Sequence, residues 1–530
     1  MTTQPDLFSP RSLPSAALQP EYRFLDLPQF SRPAAMLNCA ARLLDNQVAS
    51  GMGDRVCLRT FDETWTYHEL QEKANRIAHV LTREMGLQPG NRVLLRSANN
   101  PMMVACWFAV IKAGGVVVAT MPLLRAKELT TIVDCAEISH AFCDTSLAEE
   151  MHITQSSFLK EIAYFGDGSL EKRMQQQPSE FSNFPTAADD VALIGFTSGT
   201  TGLPKMTAHY HRDVLNICEA FPRYSLQPVP EDVFTGSPPI GFTFGLGGLV
   251  LFPLYYGASV FLIEKPAPDV LLKAIQQFGI SICFTAPTAW RVLSTKVKDY
   301  NISSLRKCVS AGETLPLQVW QDWFEATGLK IIDGIGATEM LHIFISSSEE
   351  NMKPGATGLP VTGYEAMIVD KDGKESPRNE PGRLAVRGIT GCRYLNREEK
   401  QQEYVQHGWN FTGDVFRQDE EGYFWFVARG DDMIISSGYN IAAIEVESVL
   451  LSHPDIAECA VVGHPDTERG MLVCAHIVLK DSSKGSDAMA AEIQRWFKEV
   501  AAPYKYPRLI HFRDALPKTE TGKLQRYKLR

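Results

Sequence analysis

A chain of 530 residues is too long for one hydrophobic core, so at least two domains are expected. Its 45% apolar and 22% charged residues are ordinary for a soluble globular protein. A net charge of −10 argues against a dominant face for nucleic acid or an anionic membrane, while leaving room for a local basic pocket for phosphates.

In chain order, the first twenty residues are polar and Pro/Ser-rich, with no apolar core of a secretory signal. Thr66 and Glu69 have capping-box spacing ahead of Leu70, Ala74, Ile77, Ala78 and Leu81, which predicts a helix with one apolar face. A strand over Arg92–Arg96, a helix over Asn100–Lys112 and a strand over Val116–Thr120 follow, the order that builds a parallel sheet covered by helices. The alternation recurs through Leu271–Phe284 and Ser304–Ser310. Val233–Ile263 carries no charged side chain and superficially resembles a membrane span. Pro238, Pro239, Pro253 and six glycines interrupt it, so it reads as a buried strand, loop and helix lining a pocket. From about Gly355 the texture becomes short β runs such as Arg383–Val386 and Tyr423–Val427. After Gly430-Asp431 come a helix (Ala442–Leu451), strands (Ala457–Val462 and Leu472–Leu479) and an amphipathic helix (Asp487–Val500). The expected fold is α/β: a large N-terminal domain (1–430) of layered helices and mostly parallel sheets with a β-rich subdomain, plus a small mobile α+β domain (431–530). Eleven cysteines without a C-x-x-C pair indicate reduced thiols of a cytoplasmic protein, with neither disulfide framework nor zinc site.

The sharpest chemical signal is Phe196–Lys205, FTSGTTGLPK. Glycines let backbone approach a ligand, hydroxyls and amide N–H groups bond phosphate oxygens, and the lysine supplies compensating charge. The spacing is not that of a Walker A loop, and the composition alone also suits a flexible turn. His209 and His211 form an H-x-H pair, but no third ligand stands at a recognisable spacing for a metal.

Thr197-Ser198-Gly199-Thr200-Thr201-Gly202, continuing to Lys205, resembles the phosphate loop of the adenylate-forming superfamily of acyl-CoA synthetases, adenylation domains and beetle luciferases. Five more blocks follow in that family's order. Ser310-Ala311-Gly312-Glu313 is similar to its adenine-side loop. Asp333-Gly334-Ile335-Gly336-Ala337-Thr338-Glu339 resembles its G-Y-G-x-T-E block, with Ile where Tyr is usual. Thr412-Gly413-Asp414 matches its T-G-D block. Arg429-Gly430-Asp431-Asp432 with Gly438-Tyr439 matches its hinge, and Pro517–Lys523 its C-terminal lysine loop.

The resemblance, which spans roughly residues 30 to 530, implies a role for each. Glu339 would hold Mg2+ on the ATP phosphates and Thr338 would bond the α-phosphate. Asp414 would accept the ribose hydroxyls, and Arg429 would reach ribose or phosphate. Lys523 would neutralise the α-phosphate as pyrophosphate departs, Asp431 would be the hinge, and Gly438 and Tyr439 would lie on the CoA side. Taken one at a time, a Thr-Glu pair, a T-G-D aspartate or a C-terminal lysine is equally a solvated turn or surface charge.

In that family the glycine-rich stretch after the phosphate loop lines the acid. Here it places Phe242, Thr243 and Phe244 in the pocket, with Phe242 where many members carry His. Phe242 and Phe244 are as compatible with plain core. Ile335 and His342 resemble the benzoate and 2-aminobenzoate CoA ligase branch. The implied activity is ATP-dependent adenylation of an aromatic carboxylic acid, then thioester formation with coenzyme A. A stand-alone enzyme loading a carrier protein, or a nucleotide-binding regulator without catalysis, remain the alternatives. Expected partners are the acid, ATP and CoA, with neither nucleic acid nor membrane, and a homodimer is compatible with the sequence.

Overall fold

The computed structural model describes residues 2–30, 36–197, 204–429, 432–436, 439–466, 469–501, 505–518 and 524–530. Two large sheets dominate. A six-stranded sheet runs in the order Glu161–Phe165, His140–Asp144, Arg92–Arg96, Val116–Thr120, Val191–Thr197 and Lys205–Tyr210. All its pairings are parallel except the last. A nine-stranded sheet is parallel from Val56–Arg59 through Ser259–Phe261, Val233–Gly236, Ile282–Thr285 and Lys307–Ser310 to Ile331–Gly336, with antiparallel strands at both edges.

The sequence explains the layering. Every residue of Arg92–Arg96 is buried, as in a strand covered on both faces. Helix Pro101–Lys112 is apolar all round and buried along nearly its whole length, which suits a helix inside a core. Its one cation, Lys112, is buried only because Asp45 (2.5 Å) and Asn183 (3.1 Å) receive its ammonium. Helix Tyr67–His79 starts at the expected Thr66/Glu69 capping box. Val233–Ile263 forms a buried strand, a helical run from Thr243 to Tyr255 and a second strand, Ser259–Phe261. Its glycine density reflects close packing: a Cβ on Gly245 would lie 2.0 Å from the Pro239 carbonyl oxygen. No described helix is long and apolar enough to cross a membrane.

Antiparallel strands Tyr364–Val369, Gly382–Gly388, Trp409–Gln418 and Phe424–Arg429 form the β-rich subdomain. The C-terminal part pairs Met433–Ser436, Tyr439–Ala442, Ile456–Asp466, Gly470–Leu479 and Leu509–Phe512, with helices Ala443–Leu451 and Asp487–Val500. The polar, Pro/Ser-rich N-terminal arm is tied to the body. The Thr2 hydroxyl donates to Asp190 at 2.6 Å, and Gln4 Nε2 donates to the Val191 carbonyl at 3.1 Å.

Candidate active site

The strand ends bring the chemical residues together. Lys205 opens the strand after the expected phosphate loop, and its Nζ lies 3.7 Å from Glu339 Oε1. Tyr394, which the sequence reading did not single out, joins them: Lys205 Nζ donates to its hydroxyl at 2.7 Å, and that hydroxyl donates to Glu339 Oε1 at 2.5 Å. Thr338 is held against the phosphate-loop strand. Its Cγ2 would sit 2.6 Å from a Cβ on Gly195, so only glycine permits this approach. His209 Nε2 donates to the Thr338 carbonyl at 2.7 Å, and burial lowers the His209 pKa to about 4, which keeps the ring neutral. His209 is therefore a prop under Thr338; His211 instead faces Cys39. The turn after Thr338–Met340 places Leu341 at φ +70, a strained conformation costing about 1–3 kcal/mol for a non-glycine residue. The Thr390 hydroxyl holds it by donating to the Met340 carbonyl at 2.8 Å.

Asp414 and Arg429 face each other across paired strands with oxygen and nitrogen 3.1 Å apart. Burial raises the Asp414 pKa, opposed mainly by the Arg429 charge. Tyr404 packs edge-on to Tyr394 at 5.6 Å and feels the charges of Glu339, Asp414 and Arg429, so these groups form one neighbourhood. On the adjoining sheet Ser310 and Asp333 are in register. Asp333 is partly exposed as a residue, but its Oδ1 is buried with no partner among the described residues, and burial pushes its pKa up to about 8. Gly312 turns at φ +90 beyond this strand, Glu313 follows it half-buried, and Gly334 packs against Ile343.

Of the residues expected to line the acid, Phe242, Thr243, Phe244 and Ile335 are all half-buried. His342 is fully buried, with its ring centre 4.6 Å from Phe252, 5.8 Å from Phe221 and 5.9 Å from Phe244. Among the described residues neither ring nitrogen makes a well-formed hydrogen bond, although the Phe244 backbone lies near enough to act on the ring. Burial lowers its pKa to about 3, with the Phe244 backbone opposing the shift, so the imidazole is neutral.

Ser198, Gly199, Thr200, Thr201, Gly202, the hinge candidate Asp431, Gly438 and Lys523 lie outside the described residues. Thr197 ends its strand with a buried hydroxyl that has no partner among the described residues. Tyr439 begins strand Tyr439–Ala442. The flanks of the lysine loop are closed by an antiparallel bridge between Lys518 and Leu524. Besides Tyr394 and His209, the sequence reading missed Arg393 and Asp213, a fully buried pair 2.7 Å apart that fixes the backbone beside Tyr394. The sole hint was a buried-type run, Gly391–Leu395, carrying an arginine.

Residues 44–393 match the AMP-binding enzyme family, and residues 445–523 match the AMP-binding enzyme C-terminal domain. The chain belongs to the AMP-binding enzyme family. This AMP-binding enzyme is 33% identical over 504 residues to the benzoate–CoA ligase of Thauera aromatica, covering 93% of this chain and 95% of that one. It is equally 33% identical, over 485 residues, to the mitochondrial acyl-coenzyme A synthetase ACSM3 of Rattus norvegicus, covering 88% and 84%. Among solved structures it is similar to the anthranilate CoA ligase AuaEII in complex with anthranoyl-AMP, at a TM-score of 0.88 and 33% identity, covering 94% and 97%. The AMP-binding enzyme thus lies in the adenylate-forming superfamily near the benzoate and aminobenzoate CoA ligases. Its family is that of AMP-forming acid–CoA ligases, whose substrates are an acid, ATP and CoA.

Proposed function

We propose that this enzyme activates an aromatic carboxylic acid of the benzoate or 2-aminobenzoate class and transfers the acyl group to CoA, with 2-aminobenzoate the favoured acid. A carboxylate oxygen attacks the α-phosphorus of ATP as the bond to pyrophosphate breaks; the CoA thiol then attacks the acyl carbonyl and AMP leaves. The chain's contribution is positioning and charge stabilisation. Lys205 and the loop Thr197–Gly202 hold phosphates, Thr338 bonds the α-phosphate, Asp414 accepts the ribose hydroxyls with Arg429 beside it, and Gly312, Glu313, Asp333 and Gly334 border the adenine. Lys523 stabilises charge as pyrophosphate departs. Glu339 and Thr338 offer the hard oxygen donors that Mg2+ prefers, and the ion would supply charge neutralisation on the phosphates. The domains are 1–430 and 431–530, reorienting at Asp431 between steps, with Gly438 and Tyr439 toward CoA. We place the enzyme in the cytoplasm.

The observation that supports the aromatic reading is the neutral, buried His342 imidazole among Phe221, Phe244 and Phe252, whose ring nitrogens make no well-formed hydrogen bond among the described residues. An unmet buried polar group costs about 1–3 kcal/mol, which an ortho-amino group of the acid would relieve. Flat ring walls add offset or edge contacts worth about 0.5–1.5 kcal/mol with an aryl acid. The experiment is AMP release with benzoate, 2-aminobenzoate, hexanoate and palmitate, with and without CoA. Both aryl acids should lead in kcat/KM, and His342→Ala should lower the 2-aminobenzoate to benzoate ratio. A best rate with palmitate overturns the pocket assignment, and AMP released as fast without CoA as with it overturns the acceptor.

A further inference from the structure

Lys205 and Glu339 carry opposite charges in a largely buried place, yet they meet only at the long edge of ion-pair range, with no direct hydrogen bond. Their closest approach is 3.7 Å, and the Tyr394 hydroxyl stands between them, accepting from the ammonium at 2.7 Å and donating to the carboxylate at 2.5 Å. A phenol is suited to this because one oxygen both donates and accepts while carrying no charge. Tyr394 itself is rigidly held. It is 1% exposed, its N–H donates to Gln401 Oε1 at 2.8 Å, and its neighbour Arg393 is locked to Asp213 at 2.7 Å. Leu395 N–H donates to the Met206 carbonyl at 2.9 Å, which ties this segment to the strand that begins at Lys205.

We infer that Tyr394 is a positioning residue whose hydroxyl keeps the Lys205 ammonium and the Glu339 carboxylate from neutralising each other, leaving one available to the ATP phosphates and the other to their cation. The inference rests on the reading of Lys205 and Glu339 given above. Without the hydroxyl, the two side chains can close from this loose approach to a hydrogen-bonded ion pair, and a tightly paired, desolvated carboxylate and ammonium must be separated again before either meets the nucleotide. The aromatic ring alone would not prevent this. Lys205 Nζ already lies over it, 4.6 Å from the ring centre, and a Phe ring would keep that contact.

The test compares wild type, Tyr394→Phe, Glu339→Gln and the double variant as full-length protein, titrated calorimetrically with ATP and Mg2+ in the absence of acid. Thermal denaturation and KM for the acid and for CoA are measured alongside. Tyr394→Phe should weaken ATP binding by about tenfold or more, with melting temperature and both other KM values unchanged. In the double variant the Phe substitution should add little to Glu339→Gln, because a neutral Gln leaves no ion pair to form. Wild-type ATP affinity in Tyr394→Phe overturns the inference, as does a fall in melting temperature that tracks the loss of binding, or strict additivity in the double variant. If Glu339→Gln itself binds ATP and Mg2+ normally, the assignment of Glu339 fails, and the inference falls with it. If Glu339→Gln is impaired and Tyr394→Phe is not, only the inference fails.

Discussion

Gly247 offers a direct way to perturb the proposed acyl pocket by adding a single methyl group. It lies on the helical run that follows Thr243, at φ −61, so alanine suits its backbone and would favour the helix by about 0.5–1 kcal/mol. The obstacle is His342. A Cβ on residue 247 would lie 2.3 Å from His342 Cδ2 and 2.5 Å from Nε2, with Phe252 Cζ at 3.0 Å. The imidazole is hemmed by Phe252 and Phe221, so it must yield toward half-buried Phe244. Overpacking of this kind costs about 1–3 kcal/mol, and displacing the ring into the acid site converts that into roughly a 5- to 150-fold loss of kcat/KM for 2-aminobenzoate. The assay is AMP release against varied acid at saturating ATP and CoA, with KM for ATP as the internal control, expected unchanged. Gly247→Ala/His342→Ala should recover benzoate turnover relative to Gly247→Ala alone, because removing the ring removes the clash. Wild-type acid kinetics in Gly247→Ala, or additive losses in the double variant, would refute the reasoning.

Three other outcomes are expected. Asp213→Ala leaves Arg393 charged and unpaired in a fully buried site and should destabilise the fold by about 3–5 kcal/mol, read by denaturant unfolding; a change under about 1 kcal/mol contradicts it. Asp431→Pro fixes φ near −65° and should preserve adenylation while blocking thioester formation; normal overall turnover places the hinge elsewhere. The Asp333 carboxyl has an ordinary value of 3.8 and is pushed up to about 8, so between those values the folded chain keeps a proton that the unfolded chain has lost. Its contribution to stability is present below the lower value and declines as pH rises through the higher one, while asparagine has no such dependence. The melting temperature of Asp333→Asn relative to wild type should therefore climb from pH 4 to pH 8, and a flat difference contradicts the burial argument.

Local rules made much of this fold legible. The Thr66/Glu69 box, the uniformly apolar strand interior at Val93–Leu95 and the glycine-broken stretch after Val233 each report on neighbours a few residues away, and the structure follows them. The missed features depend on distant pairings. Tyr394 meets Glu339 across 55 positions and Lys205 across 189, and nothing in the periodicity around Tyr394 encodes either contact. His209 had no role assigned beyond an H-x-H pair lacking a third metal ligand, because sequence spacing says nothing about the Thr338 carbonyl to which its ring donates. The anchoring of the N-terminal arm by Asp190 and Val191, far along the chain, is likewise not encoded in the arm's own pattern.

The most direct test of the two-step account uses an aryl acid whose carboxylate carries heavy oxygen, incubated with enzyme, ATP, Mg2+ and CoA, with the products read by mass spectrometry. Attack of that carboxylate on the α-phosphorus, followed by thiol attack at the carbonyl, leaves one labelled oxygen on AMP for each thioester made. AMP carrying one label, with pyrophosphate and aryl-CoA as the other products, is the predicted result. Unlabelled AMP, or release of ADP and phosphate in its place, would contradict the account.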